Sequence, residues 1–414
     1  MKPLRIALLL DDFFPASGGI ARSMQTQIEA LTELGHEVTL LAPAKYLNAP
    51  EQCRTIACKS HHIDGLPAHL NVLHSSRWAA RKIRQQFDVV HSQTERGAVV
   101  LGARIARNQG VPHVHTFHAN IAGTHATLPF SAMWGSLSYE YLVTRVLAVA
   151  SGRSPRFYPT LPPATPEPDN NNYFSRLDWR SLGWIAAHVD EVTSPAAYML
   201  ANIENAVGQP IGGVQIPNAC RRAKIEPVPA AQTDRGDVSV RFLSVGRLSR
   251  EKRLDVLVKA FNHARIPGAE LVFVGDGDQR DRLERLAGPG VIFRGQLGSR
   301  ADIAKEYAEA DALVLASYRF DVQPMVLLEA GLAGLPVLYC DDRLTTGVSP
   351  ESSLLVRPDA VSLAQGMRRL ADPETRSALR ANVARVVEGL TPESMAERYV
   401  EVYRTAIERG RRGG

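Results

Sequence analysis

Short apolar runs alternate with helix-period segments along most of the chain. "RIALLL" is followed by "RSMQTQIEALTELG" and then "EVTLLAP", and "DVVHSQ", "RGAVVLGARIARNQG" and "VPHVHTFH" repeat the order. Runs this short and this apolar read as strands buried on both faces, and the segments between them as helices packed on the sheet. Strand, helix, strand in repetition predicts parallel α/β units with right-handed crossovers. The same design returns in "VRFLSVG", "RLDVLVKAFNHA", "AELVFVGDG", "QRDRLERLAG", "VIFRGQL", "ADIAKEYAEA", "DALVLAS", "PMVLLEAGLAG" and "LPVLYCD".

Two α/β domains are therefore expected, over residues 1–217 and 237–392. Between them, at 218–236, proline, alanine and charge replace periodicity, as in a linker. A stretch at 119–185 interrupts the first domain: the aromatic "FSAMWGSLSYEYLVTRVLAVASG" is followed by the proline-rich "PRFYPTLPPATPEPDNNNYF", which reads as a loop.

Composition narrows the field only slightly. The 414 residues are enough for two separate cores, and a formal charge of +5 suits an anionic small molecule, a lipid headgroup or nucleic acid equally. Four scattered cysteines (53, 58, 220 and 340) form neither a disulfide framework nor a zinc array, so a reduced, cytoplasmic protein is expected. The opening "MKPLRIALLLDDFF" is too short in its apolar run for a signal peptide. No run of about 18 apolar residues predicts a membrane span.

Candidate chemistry gathers where strands hand over to helices. In "VGRLSREKRLDVLVKAF", Gly246 permits a tight turn, while Arg247 and Lys252 supply a planar fork and a point charge suited to phosphate oxygens. The alternative is a solvated basic turn paired with Glu251 or Asp255. Gly18 and Gly19 follow the first strand and precede a helix, where bare amides can approach phosphate; the segment is neither GxGxxG nor a P-loop. In "RFDVQPMVLLEAGLAGLPVL", Asp321 and Glu329 stand eight residues apart, and Pro324 fits the first helical position. The two carboxylates suit sugar hydroxyls, or serve only the helix dipole.

Taken in order, the glycine loop, "GRLSREK", "FVGDG", "FRGQL" and the acidic residue ahead of "EAGLAGLPV" resemble the retaining glycosyltransferases of family 4, over nearly the whole chain. The resemblance implies the GT-B fold: two Rossmann-like domains facing each other across a cleft, with a helix at about 393–414 packing back on the first. It places Arg247 and Lys252 on the donor diphosphate, Glu329 on the ribose, and Asp321, where relatives usually carry glutamate, on the transferred sugar. Gly19 falls in the loop over the donor phosphates, and His118 in "HVHTFHAN" close to the sugar. Arg294 and Leu297 fall beside the base, with Met325 and Val326 at the start of the donor-side helix.

The implied activity is hexosyl transfer from a UDP- or GDP-sugar to a hydroxyl of a glycolipid, polysaccharide or cell-envelope glycan. No cofactor and no metal are implied: "GDGD" imitates a D-x-D motif in a different context, and His113 and His115 share one strand face without a carboxylate or cysteine to complete a site. "DVQP" and "IPNAC" depart from the family's usual glutamate and glycine. They keep open a nucleotide-sugar-binding scaffold subunit or an epimerase. Expected partners are the donor and a saccharide or lipid-linked acceptor, not nucleic acid, with a monomer or homodimer as the assembly. Phe130, Trp134, Tyr139, Tyr141 and Leu142, with Arg145, Arg153 and Arg156, suggest peripheral contact at the inner membrane face. The alternative for that stretch is a buried helix with a basic end.

Overall fold

The computed structural model describes residues 2–12, 14, 18–44, 47–62, 71–122, 129–167, 171–221 and 238–412. These residues form two units, one of Met1–Asn218 with Pro392–Gly414 and the other of Ala219–Thr391. Most of the expected linker, residues 222–236, lies outside the described residues.

Unit 1 carries strands β1 (Arg5–Leu9), β2 (Glu37–Pro43), β3 (Arg54–Cys58), β4 (Ser60–His62), β5 (Asn71–Leu73), β6 (Val89–Ser92), β7 (His113–Thr116), β8 (Glu191–Ser194) and β9 (Val214–Gln215). Its main sheet runs β3-β2-β1-β6-β7-β8-β9, with every described pairing parallel; β4 and β5 form a separate antiparallel pair. The order reverses beside β1, which places the carboxyl ends of β1 and β6 at a topological switch point. Helices α1 (Gly19–Glu33), α2 (Arg77–Lys82), α3 (Gly97–Gln109), α4 (Pro129–Tyr141), α5 (Ala148–Ser151), α6 (Tyr173–His188) and α7 (Ala197–Val207) join these strands, and a π-helical turn over Leu142–Leu147 connects α4 to α5.

Unit 2 is a six-stranded parallel sheet of β10 (Val240–Val245), β11 (Ala269–Val274), β12 (Val291–Gly295), β13 (Ala312–Leu315), β14 (Val337–Tyr339) and β15 (Ser353–Leu355), in the order β12-β11-β10-β13-β14-β15. Its helices are α8 (Leu254–Ala264), α9 (Arg280–Leu286), α10 (Arg300–Glu309), α11 (Met325–Leu332), α12 (Ala360–Ala371) and α13 (Pro373–Val386). The chain then returns to unit 1 as α14 (Pro392–Arg412), which packs on α1.

Continuous apolar runs form the central strands because both sheet faces are covered. In unit 2, Phe242, Leu271 and Phe273 belong to a core on one face, and Leu243, Val272 and Val274 to a core on the other. Helices α12 and α13 start on capping side chains: Asp359 accepts from the Ser362 amide at 2.8 Å, and Asp372 from the Thr375 amide at 2.9 Å with Pro373 beside it. Such caps each contribute about 1 kcal/mol. By contrast α1 starts at Gly18 and α11 at Pro324, neither with a side-chain cap. Pro324 is thus the N-cap, one residue ahead of the expected first helical position, because its ψ of 125° is extended and helical backbone begins at Met325.

Candidate active site

In unit 2 the carboxyl ends of β10 and β11 are zipped together by glycines. Gly246 has φ 146° and donates to the Val274 carbonyl at 2.9 Å; a Cβ on Gly275 would lie 1.9 Å from the Gly246 carbonyl oxygen. Leu248 then donates to the Asp276 carbonyl at 3.0 Å, so the "GRLSREK" and "GDGD" turns form one backbone platform. Arg247 extends from this platform, and a 3-10 turn over Arg250–Lys252 follows it. Arg253 takes a left-handed conformation (φ 51°) that redirects the chain into α8, anchored by its guanidinium on the Pro358 carbonyl at 2.6 Å.

That turn aims Lys252 across the edge to the loop after β13, where its Nζ meets Asp321 Oδ1 at 2.6 Å and lies 5.3 Å from the Phe320 ring centroid. The local pairing with Glu251 or Asp255 does not form for Lys252. Glu251 instead accepts from the Ser249 hydroxyl at 2.6 Å, and Asp255 meets Lys259 and Arg282. Four residues into α11, Glu329 is buried and its Oε2 accepts from the Tyr307 hydroxyl of α10 at 2.7 Å. The adjacent α10 residue, Glu306, meets Arg294 Nε at 3.0 Å at the end of β12. Met325 is buried, and Leu297 and Val326 pack at the margin of the same core. Arg247, Lys252, Asp321 and the start of α11 therefore occupy the carboxyl edge of neighbouring β10 and β13, with Arg294 and Leu297 two strands away.

In unit 1, Gly18 and Gly19 open α1 beyond the carboxyl end of β1. Asp11, two residues past β1, accepts from the Leu73 amide at 2.7 Å, the Ala98 amide at 3.0 Å and the Thr94 hydroxyl at 2.6 Å, and so ties the end of β5 and the β6–α3 connection to the end of β1. Arg96 pairs with Asp12. Glu95 is buried between them, and burial pushes its carboxyl up to about 7, opposed by the Arg96 guanidinium. His118 follows β7, and its Nε2 meets Gln93 Oε1 at 2.6 Å. Burial lowers its pKa to about 4. His113 and His115 do share a face: both rings meet the Ser92 hydroxyl, at 2.9 and 2.8 Å. Among the described residues, no group of three or more His, Cys, Asp or Glu side chains is placed to hold a metal ion.

Residues 17–220 match the family described as Glycosyltransferase Family 4, and residues 239–372 match Glycosyl transferases group 1. The chain belongs to the family 4 glycosyltransferases. It is 24% identical, over 81% of its length and 80% of the relative's, to an alpha-monoglucosyldiacylglycerol synthase of Acholeplasma laidlawii. It is 26% identical, over 82% of its length and 80% of the relative's, to a GDP-mannose-dependent alpha-mannosyltransferase of Mycolicibacterium smegmatis. In fold it is similar to the sucrose-phosphate synthase of Thermosynechococcus elongatus, with a TM-score of 0.73, 22% identity and coverage of 98% of this chain and 100% of that one. The fold of this glycosyltransferase is GT-B, with two Rossmann-like units.

Several residues that shape these edges escaped the sequence reading. Gln93 and Glu95 lie in "HSQTERG", a polar run ending an apolar strand, a signal that was there to be read. Tyr307 carried no such signal, since its link to Glu329 spans two helices. From Trp134 to Ser151 the aromatic stretch is part buried and part exposed. Tyr139, Val143 and Leu147 are buried, whereas Trp134, Leu137, Tyr141, Arg145 and Val149 are exposed. Tyr139 is thus removed from the expected membrane-facing set, because α4 turns it toward the interior; the Phe130 side chain lies outside the described residues.

Proposed function

We propose that this glycosyltransferase moves a hexose from a UDP- or GDP-sugar to an acceptor hydroxyl with retention of anomeric configuration and without a metal. The observation that carries the reading is the Lys252–Asp321 contact beside the Gly246 platform, which sets a cation and a carboxylate at one strand edge. A lysine ammonium has three donors, so Lys252 can keep Asp321 and also bind a phosphate oxygen. Arg247 and Lys252 then offset the charge that grows on the diphosphate as the anomeric C–O bond breaks. Glu329, fixed by Tyr307, accepts from the ribose hydroxyls, and Asp321 accepts from the transferred sugar. Arg294 and Leu297 flank the base, Met325 and Val326 support the donor-side helix start, and Gly18, Gly19 and His118 of unit 1 serve the phosphates and the sugar.

No protein nucleophile is evident in the sequence. In the reaction we propose, the acceptor oxygen bonds to the anomeric carbon on the face the diphosphate leaves, and its proton passes to a diphosphate oxygen. The protein supplies orientation and charge stabilisation. A thermal-shift and hydrolysis screen against UDP- and GDP-sugars, with EDTA or with manganese, tests this reading. One donor should raise the melting temperature and be slowly hydrolysed in EDTA. Stabilisation without turnover would favour a nucleotide-sugar-binding scaffold.

A lipid-linked acceptor is favoured by the exposed face of Trp134, Leu137 and Tyr141 on α4, followed by Arg145 and Val149. These residues recur at helical spacing, with aromatic and aliphatic side chains ahead of a cation, as in helices that lie in a membrane interface. The names of the glycolipid-synthesising relatives point the same way. Among the described residues no helix is long and apolar enough to cross a membrane, and the contact we propose is a peripheral one. Flotation with anionic vesicles should retain the wild-type protein and lose a Trp134→Ser, Tyr141→Ser variant; equal flotation of both would remove this face from the account.

A further inference from the structure

A line of buried side chains crosses unit 1 from α14 to His118. His118 Nε2 meets Gln93 Oε1 at 2.6 Å, and Gln93 Nε2 donates to Gln27 Oε1 at 2.9 Å. Gln27 Nε2 donates to the Tyr403 hydroxyl at 3.2 Å. That hydroxyl lies 2.7 Å from His91 Nδ1, and His91 Nε2 lies 2.7 Å from the Thr116 hydroxyl. Gln93, Gln27, Tyr403, His91 and Thr116 are all buried, so each finds its partners inside the protein; Thr116 also meets the Thr193 hydroxyl at 2.6 Å.

With the Gln93 and Gln27 amides oriented as above, the donors run in one direction. An amide oxygen only accepts, so the proton between His118 and Gln93 sits on the ring. In that orientation the Gln93 nitrogen donates to Gln27 Oε1. The Tyr403 hydroxyl accepts from Gln27 and donates to His91 Nδ1, and His91 then donates from Nε2 to Thr116. Every link donates toward the next, starting from His118.

We propose that Gln93 is a positioning residue for transfer: it holds His118 as the neutral ring protonated on Nε2, leaving Nδ1 as an acceptor for a sugar hydroxyl. The inference rests on the reading of His118 as the ring beside the transferred sugar. A neutral acceptor is the appropriate form there, since positive charge develops at the anomeric carbon in the transition state and an imidazolium would oppose it. Burial acts in the same direction, lowering the ring's pKa to about 4 so that it carries one proton at neutral pH. The titratable rings facing it are His91 on β6 and His115 on β7, both also held well below the ordinary value by burial. An orienting partner of this kind fixes the tautomer of a working imidazole.

The test begins without a variant. Long-range proton–nitrogen correlation spectra of the full chain, labelled at histidine nitrogens and with the His118 signals assigned by His118→Gln, should show a neutral ring protonated on Nε2 at pH 7. A proton on Nδ1 would overturn the proposal. Gln93→Leu should release the tautomer and lower kcat on the order of tenfold while leaving the donor KM nearly unchanged; an unaltered tautomer in that variant would also overturn it. Gln93→Glu should keep the proton on Nε2 but raise the ring's pKa toward neutrality, adding an acid limb to the pH profile of kcat. If the tautomer is as stated and His118→Gln retains full turnover, the positioning of the ring stands, and the reading of His118 as a sugar contact is what fails.

Discussion

Lys252 shows how much of the chemistry is decided by a single side chain. Its partner Asp321 is 69 positions away in sequence, and the contact is made only because β10 and β13 are neighbours and both loops leave the same edge. "REK" alone could not reveal this, since the turn also offers Glu251 and Asp255. Lys252 reaches across the strand edge to Asp321 in the β13 loop rather than to its own turn. If Lys252 offsets leaving-group charge, Lys252→Ala should lower kcat/KM by roughly two to three decades, or about 2–4 kcal/mol at the transition state. Steady-state kinetics with the matched donor reads this directly. Trp78, Trp134, Trp179 and Trp184 all lie in unit 1, so hydrogen exchange at β10 and β13 supplies the folding reference for this unit 2 variant. Turnover within threefold of wild type would exclude Lys252 from the charge-stabilising role.

Strands β6 and β7 carry a second consequence, for stability. His91, His113 and His115 are buried in unit 1, and burial depresses all three, His113 to about 4 from the ordinary 6.5. Below about pH 6.5 the unfolded chain takes up protons that the folded chain refuses, so stability is complete above that pH and falls as pH drops toward 4. Each such ring contributes a slope of about 1.4 kcal/mol per pH unit within that window. Urea unfolding followed by tryptophan fluorescence at pH 7, 6 and 5 should therefore show a falling midpoint, and His113→Gln should reduce the slope by about one ring's share. The strands themselves were legible in sequence because apolar runs and terminal glycines mark them. The role of "HVH" was legible only in part: alternation put His113 and His115 on one face, but their shared partner Ser92 belongs to another strand, and cross-strand partners leave no local pattern. The pair β4 and β5 was not read at all, since "SHH" and "NVL" are three-residue strands with little apolar signal.

At the scale of the molecule, unit 1 is built from both ends of the chain. α14 places Met395, Ala396, Tyr399, Val400, Tyr403 and Ala406 in buried positions, and Tyr403 reaches Gln27 of α1 and His91 of β6. A fully buried large apolar side chain contributes about 1.5–3 kcal/mol, so four or five of them approach the entire 5–15 kcal/mol that holds a typical domain folded. Loss of Tyr403 also removes the partner of the Gln27 amide nitrogen and the shorter contact of His91 Nδ1, which adds a desolvation cost. The strands, helices and two cores described for unit 2 lie within Ala219–Thr391. Truncation after Thr391 should therefore abolish cooperative unfolding by tryptophan fluorescence, whose four reporters are all in unit 1. Hydrogen exchange read by mass spectrometry on the same sample should still find β10, β11 and β13 protected. Simultaneous loss of protection in both units would mean that unit 2 depends on unit 1 for its stability; retention of a cooperative tryptophan transition would mean that α1 and β6 hold their places without Tyr403.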